Sequence, residues 1–291
     1  MTTRQVLRLL NPFFRLIVRK PQYLIAVILA GGLWYGYEVT VARPAMSYMG
    51  VPQEVSAPAN GSWTHTLRNE GFMLGYSEKL ANPLWVTYQV KEKHFNSGKR
   101  PSGFSRDWRS LSGITHQDYT GSGFDRGHMA PNYVIASRYG RSAQLETFLM
   151  TNITPQKPNL NQKSWQRLEE LVADSFSDWF GDFWVVTGPI FDANPKTIKG
   201  TRVAIPKAFY KILIKPGNQD SPAKALAFIF PQNAKPNASL MKFVTTIDEI
   251  EKQTGLDFFH KLDDAFEDKL ESSTTPEAWR LSEVANRPSR Y

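Results

Sequence analysis

An uncharged segment near the N-terminus is the strongest single constraint on what this chain can form. From Pro21 to Tyr37 no residue carries a charge. The charged residues before it are all basic, namely Arg4, Arg8, Arg15, Arg19 and Lys20. The segment reaches the shortest length that spans a bilayer as a helix, about 17 residues, and its aromatic end favours a membrane interface. The basic residues contribute much of the net charge of +8, which is therefore weak evidence that the folded part binds polyanions.

Three interpretations of this segment stay open. A transmembrane signal-anchor over residues 22–42, after a basic cytoplasmic N-terminus over residues 1–21, fits the length and the aromatic end. A cleaved secretory signal and a mitochondrial or other presegment are the alternatives. The signal-anchor predicts a membrane-anchored protein with its remaining residues on the non-cytoplasmic side. That side is the periplasm at a bacterial inner membrane, or the intermembrane space of a mitochondrion.

The rest of the chain predicts one folded domain. Residues 43–70 are rich in Pro, Ser and Ala and are typical of a linker. Residues 71–262 contain strand-like apolar runs that cluster instead of alternating with helices, which predicts an α+β fold with a mixed or antiparallel sheet. Residues 263–291 contain no motif and are expected to form a poorly packed C-terminal tail. The chain has no cysteine, which excludes disulfides, thiolate metal sites and cysteine nucleophiles.

The sequence FDRGHMAPN at residues 124–132 places an acid, a guanidinium and an imidazole around a glycine. The imidazole of His128 titrates near neutral pH and can take a proton from water. Arg126 can bind a phosphate through two nitrogens, and Gly127 allows the chain to bring its neighbours to one site. Judged by residue types alone, a surface turn with a capped histidine also stays open.

A second polar group lies on a helix predicted over residues 159–172. Asn161, Trp165 and Leu168 fall on one side of this helix, and Glu169 lies about 80° away and two turns further along. Because a long side chain leans towards the helix N-terminus, Asn161 and Glu169 can address the same site. An amphipathic surface helix would explain Trp165 and Leu168 equally well, but it needs no Asn161.

Together these segments resemble the DNA/RNA non-specific endonuclease family, whose members are ββα-metal nucleases. The family's DRGH signature stands at Asp125–His128, and its Asn-x-x-x-Trp-x-x-x-Glu pattern stands at Asn161, Trp165 and Glu169. The resemblance extends from about residue 70 to about residue 262. It implies a ββα-metal motif within the α+β domain and an endonuclease that cuts DNA and RNA to 5′-phosphate products.

The resemblance also implies catalytic roles. His128 is the expected general base, and Asn161 is the expected ligand of one Mg²⁺, for which Mn²⁺ can substitute. Glu169 is expected to hold waters of the metal shell. The family uses an arginine upstream of the DRGH signature to stabilise the transition state, and Arg100 is preferred here to Arg106.

The residues expected to contact or orient the substrate are Asp125, Arg126, Asn152 and Gln156. The expected partners are DNA and RNA, a membrane through the N-terminal helix, and a second copy of the chain in a homodimer. Three alternatives stay open: a 5′ exonuclease of the same fold, a phosphodiesterase acting on lipids or nucleotides, and a non-catalytic nucleic-acid receptor.

Overall fold

A computed structural model describes residues 20–55, 64–218 and 222–289. The chain divides into two compact units, one ending at Ala45 and the other beginning at Met46. Residues 1–19, which hold most of the predicted basic N-terminus, lie outside the described residues.

The N-terminal unit contains one long helix. Helix α1 spans Pro21–Tyr37 and begins with a proline, which the first turn tolerates because its N–H groups have no helical partner. A π-helical turn, Glu38–Ala42, and a 3₁₀ turn, Pro44–Met46, continue it. The stretch Gln22–Met46 is long and apolar enough to cross a membrane by length and composition.

The second unit is organised around a seven-stranded antiparallel sheet in the order β10-β9-β8-β7-β4-β3-β2. Its strands are β2 (Thr64–Arg68), β3 (Met73–Ser77), β4 (Asn82–Val90), β7 (Phe183–Ile190), β8 (Ala208–Lys215), β9 (Lys224–Pro231) and β10 (Val244–Thr245). Two small antiparallel pairs accompany it. They are β5 (Asp125–His128) with β6 (Ile153–Gln156), and β1 (Gln53–Glu54) with β11 (Leu256–Asp257). The α+β prediction with an antiparallel sheet is confirmed.

Helices cover both faces of this sheet. The remaining helices are α2 (Asn132–Glu146), α3 (Gln166–Leu171), α4 (Ser177–Phe180), α5 (Ile247–Thr254) and α6 (Asp264–Glu271). A π-helical turn, Leu160–Trp165, leads into α3, and a second one, Val172–Phe176, joins α3 to α4, so that all four form one helical segment. Gly140 breaks α2 with φ of 87°, a conformation that a residue with a side chain rarely adopts. Short 3₁₀ turns complete the chain at His116–Tyr119, Met150–Asn152, Leu240–Phe243, Glu277–Trp279 and Leu281–Glu283.

Side-chain alternation along β8 shows how the two faces differ. Phe209 and Leu213 pack with Trp165 in one apolar cluster, while Tyr210 and Ile212 pack in another on the opposite face. The face of the sheet that carries Phe209 and Leu213 is called the cleft face, because the helical segment that begins at Leu160 packs on it. The opposite face, which carries Tyr210 and Ile212, is called the rear face. Helices α5 and α6 pack on the rear face.

Two expected boundaries differ from the structure. The linker expected over residues 43–70 contains β1 and β2, and β2 is an edge strand of the main sheet. The expected C-terminal tail is well packed, because Trp279, Leu281 and Val284 are fully buried in the cleft-face cluster. The sequence did not reveal this packing, because the apolar residues of this segment are scattered among charged ones. Their packing partners also lie about a hundred residues earlier in the chain.

Candidate active site

Strand β5 brings the DRGH residues to the surface of the domain. Successive side chains of a strand point to opposite faces, so Arg126 and His128 share one side. Gly127 is required between them, because a Cβ there would lie 2.1 Å from Oε1 of Gln156 on the paired strand. The position of the buried Gln156 side chain against Gly127 therefore depends on glycine.

Asn152 and Gln156 are buried beside this strand pair. Asn152 is fully buried, its Oδ1 accepts from the amide of Ala130 at 2.8 Å, and its Nδ2 donates to the carbonyls of Ala130 and Thr147. Gln156 is also fully buried, under Gly127. Neither position matches the expectation that these residues bind substrate. Asn152 supports the site through its hydrogen bonds, whereas neither side-chain polar atom of Gln156 has a hydrogen-bond partner among the described residues.

A cleft of about 670 Å³ opens beside β5. Five of the residues that line it were expected at the site from the sequence: Arg100, Arg126, His128, Asn161 and Glu169. They come from a loop, from β5 and from the helical segment beginning at Leu160, so the fold joins three separate parts of the chain. Asp125 lies next to the cleft and contacts Asn161.

His128 lies between two aromatic rings. Its ring centroid is 5.4 Å from that of Phe104 and 4.8 Å from that of Phe148. Burial, and secondarily the charge of Arg100, lower the pKa of His128 to about 3. Nε2 is enclosed with no hydrogen-bond partner among the described residues, which leaves Nδ1 as the accessible ring nitrogen. The imidazole is therefore neutral at physiological pH and can accept a proton from the cleft.

Two arginines supply positive charge at the cleft wall. The guanidinium carbon of Arg100 is 5.2 Å from the centre of the Phe148 ring, which also contacts His128. Arg126 is held by hydrogen bonds from Nη2 to the carbonyl of His116 at 2.8 Å and to Oγ1 of Thr120 at 2.9 Å. This arrangement fits the recognition of a phosphate.

Arg106, the alternative to Arg100, is absent from the described residues that line the cleft. The two arginines are only six positions apart in the loop, so the sequence spacing left both available. The position of Arg100 beside His128 supports it as the arginine of the site.

Asn161 presents its amide oxygen to the cleft. Its Nδ2 donates to Oδ2 of Asp125 at 2.9 Å, and Nε2 of Gln162 donates to the same oxygen at 2.8 Å. Oδ1 of Asn161 has no hydrogen-bond partner among the described residues. A hard cation such as Mg²⁺ prefers oxygen ligands and retains several waters. An open amide oxygen with the Glu169 carboxylate in the same cleft therefore fits such an ion.

Glu169 has a buried partner that the sequence analysis missed. Nζ of Lys211 lies 3.4 Å from Oε1 of Glu169 and 4.3 Å from the centre of the Trp165 ring, and the lysine side chain is fully buried. Burial raises the pKa of Glu169, and the charge of Lys211 opposes that rise. One signal was available in the sequence: Lys211 interrupts the apolar strand AFYKILI, and a lysine is rarely buried there without a partner.

Lys163 and Arg167, on the same helical segment, have different surroundings. Arg167 is buried, and its Nη2 donates to the carbonyl of Ala238. Lys163 is partly exposed. The guanidinium of Arg167 is therefore occupied by the protein itself.

Comparisons with known proteins agree with this geometry. The family model described as DNA/RNA non-specific endonuclease matches residues 52–265. The chain is 31% identical to a nuclease of Serratia marcescens, over 75% of this chain and 84% of that protein. It is also 31% identical to mitochondrial endonuclease G of Homo sapiens, over 65% of this chain and 67% of that protein.

The fold has a solved counterpart. The structure described as the EndoG/EndoGI complex superposes with a TM-score of 0.64 and 21% sequence identity. The match covers 77% of this chain and 97% of that one. At this level of identity the likeness concerns the fold alone.

Proposed function

This chain belongs to the DNA/RNA non-specific endonuclease family and is a nucleic-acid hydrolase, and from that premise we propose a Mg²⁺-dependent endonuclease that cuts DNA and RNA. We propose further that its products carry 5′-phosphate ends. One observation supports the mechanism above all others. The neutral imidazole of His128 and the open amide oxygen of Asn161 line the same cleft.

In this mechanism Nδ1 of His128 takes a proton from the attacking water, whose oxygen forms the new bond to phosphorus. The bond from phosphorus to the 3′ oxygen breaks, which leaves the phosphate on the 5′ oxygen of one fragment, and the departing 3′ oxygen takes a proton from water to become the hydroxyl of the other. The aromatic rings of Phe104 and Phe148 support this role, because they keep the imidazole unprotonated before the reaction.

Asn161 and Glu169 are the residues that would hold the cation. Asp125 turns the amide oxygen of Asn161 towards the cleft by accepting from its nitrogen. Lys211 favours the ionised form of Glu169, which can then accept hydrogen bonds from waters. When bound, the cation supplies charge neutralisation at the phosphate and at the leaving oxygen.

Arg100 and Arg126 would bind the phosphodiester backbone. Backbone contacts carry no sequence information, and phosphate is common to DNA and RNA, so this cleft fits a substrate of either sugar. Binding through phosphate releases counterions, and activity should therefore fall as salt concentration rises.

The direct test uses the full-length chain purified in detergent. Wild type, His128→Ala, Asn161→Ala and the control His94→Ala are incubated with supercoiled plasmid and with single-stranded RNA, in Mg²⁺ or in EDTA. His94 is a suitable control because it is exposed and lies outside the cleft lining. Wild type and His94→Ala should cleave both substrates in Mg²⁺ only, and the two site variants should not.

Two results would overturn parts of this proposal. Equal cleavage by His128→Ala would remove the imidazole from the mechanism, and full activity in EDTA would remove the cation. The plasmid is a closed circle without ends, so its conversion to nicked and linear forms separates an endonuclease from a 5′ exonuclease. Ligation of the fragments without prior kinase treatment tests the 5′-phosphate.

We also propose that residues 22–42 anchor the protein in a membrane, with the second unit on the non-cytoplasmic side. Helix α1 supports this, because large apolar side chains such as Leu33 (77% exposed) and Ile28 (62% exposed) have no protein cover. Trp34 and Tyr35 lie near its end, as at a membrane interface. The protein should resist alkaline extraction from membranes, and deletion of residues 22–42 should release it.

A further inference from the structure

Three carboxylates meet on the rear face of the sheet. Asp248 and Glu251 lie three residues apart on α5, and Glu271 belongs to the last turn of α6. One carboxylate oxygen from each lies within 4.8 Å of the other two. The contact between the two helices therefore carries a cluster of like charge.

This cluster is separate from the catalytic cleft. Its helices bury Ile247, Ile250 and Leu270 in the rear-face apolar cluster. Trp165 and Leu168, which support the cleft, belong to the cluster on the other face of the sheet. The main sheet thus lies between the three carboxylates and the residues that line the cleft.

Glu271 lacks a partner. The residue is only 6% exposed, and its Oε1 has no hydrogen bond among the described residues. It also stands at the C-terminal end of α6, where the helix dipole disfavours negative charge. A buried carboxylate in such a place is costly unless a positive group is bound to it.

The part of the chain that the structure describes supplies no such positive group. Within the described residues, no lysine, arginine or histidine forms an ion pair with Asp248, Glu251 or Glu271. Glu251 accepts one hydrogen bond, from the amide of Phe258 to its Oε1 at 2.7 Å, which leaves its other oxygen free for a ligand.

The electrostatics of the three carboxylates point the same way. Burial, and then the neighbouring carboxylates, raise the pKa of Glu271 to about 9 and that of Glu251 to about 7. Protons therefore occupy part of the cluster at neutral pH when nothing else is bound. A cation can displace them, as metals do when they bind at titratable ligands.

We propose that Asp248, Glu251 and Glu271 bind a divalent cation at the contact between α5 and α6, and that Ca²⁺ is preferred. The three ligands are hard oxygens from two helices. Ca²⁺ accepts six to eight oxygens in flexible geometry and tolerates carboxylates that bind through one or both oxygens, whereas Mg²⁺ demands near-ideal octahedral geometry. The ion neutralises Glu271 and fastens α6 to α5. It takes no part in the reaction in the cleft.

Binding is measured on the full-length chain in detergent after dialysis against EDTA. Equilibrium dialysis with ⁴⁵Ca²⁺ is done in an Asn161→Ala background, so that the cleft cannot contribute. We expect one Ca²⁺ per chain, loss of this binding in Asp248→Asn/Glu271→Gln, and retention in Glu277→Gln. Glu277 is an exposed carboxylate outside the cluster, so its substitution changes net charge without changing the site.

Folding of the cluster variant is checked separately. The same double substitution, made with Asn161 intact, should still cleave plasmid in Mg²⁺ because the cleft is on the opposite face. Absence of Ca²⁺ binding by the Asn161→Ala protein would overturn the proposal, as would equal binding by the cluster variant. Stability that responds to pH but not to Ca²⁺ would also overturn it, because protons alone would then neutralise the cluster. The outcomes that would overturn the proposal are measured as Ca²⁺ binding and stability, and only the folding check depends on the proposed nuclease activity.

Discussion

Oδ2 of Asp125 accepts a hydrogen bond from Nδ2 of Asn161 at 2.9 Å. The two residues are thirty-six positions apart, and each belongs to a different one of the two sequence patterns of the site. This contact determines which end of the Asn161 amide faces the cleft. We therefore propose that Asp125 acts through Asn161, as a positioning residue.

Substitution of Asp125 should weaken the metal site. In Asp125→Ala the amide of Asn161 can rotate, and we expect the Mg²⁺ concentration for half-maximal plasmid cleavage to rise roughly 10–100-fold. Gln162→Ala is the matched control, because Gln162 donates to the same oxygen of Asp125 but is exposed. An unchanged Mg²⁺ dependence in Asp125→Ala would show that the contact does not orient the ligand.

The pH dependence of cleavage should reflect the low pKa of His128. A base whose pKa is lowered stays unprotonated to a lower pH, so the acid limb of kcat/KM should lie below pH 6.5. Arg100→Gln removes a charge that lowers this pKa, and the limb should move to higher pH. Arg106→Gln, the control, should leave it in place. An acid limb above pH 6.5 in the wild type would contradict the neutral imidazole.

The buried lysine should matter for both stability and activity. Lys211→Met leaves Glu169 without its ion-pair partner. We expect the free energy of unfolding to fall by about 2–3 kcal/mol. This is less than the roughly 3–5 kcal/mol expected when a fully buried ion pair is broken, because 20% of the Glu169 side chain is exposed. The double variant Lys211→Met/Glu169→Gln should recover stability but not activity, as measured by urea unfolding and plasmid cleavage. Equal stability of the single and double variants would contradict this coupling.

The C-terminal residues should be needed for folding. Trp279 is fully buried, and its ring centroid lies 5.6 Å from that of Phe176, 5.1 Å from that of Phe180 and 5.4 Å from that of Phe183. Trp279→Ala should lower the free energy of unfolding by about 3–5 kcal/mol. Glu277→Gln, an exposed neighbour, should be neutral within about 0.5 kcal/mol. A small effect of Trp279→Ala on urea unfolding would mean that these residues are loosely attached.

Without added cations, the rear-face carboxylates should make stability depend on pH. The raised pKa of Glu271 means that its carboxyl ionises at lower pH in the unfolded chain than in the folded one. The amount by which Glu271 lowers the free energy of unfolding therefore grows as pH rises from about 4.5 to about 9. Glu271→Gln should raise the melting temperature at pH 7.5 in EDTA, by about 2–4 °C per kcal/mol recovered. Identical melting curves for Glu271→Gln and wild type would exclude this effect.

Much of the active site was predictable from the sequence because its chemistry lies in two short, ordered patterns. His128, Asn161 and Glu169 were expected in one site, and the structure brings all three to one cleft. The antiparallel sheet was also predictable, since its strands appear as clustered apolar runs that do not alternate one by one with helices. The family resemblance rests on these same residues and is confirmed by the family match.

The sequence alone determined which residue types are available for chemistry, and in what order they occur. Only the tertiary structure decided which of them reach the cleft: Asn152 and Gln156 are enclosed, Arg100 lies beside His128, and Lys211 pairs with Glu169. The physical reason is that burial and ion pairing depend on distances between segments far apart in the chain. The order of strands and the packing of helices set those distances, whereas local patterns record only the spacing along one element.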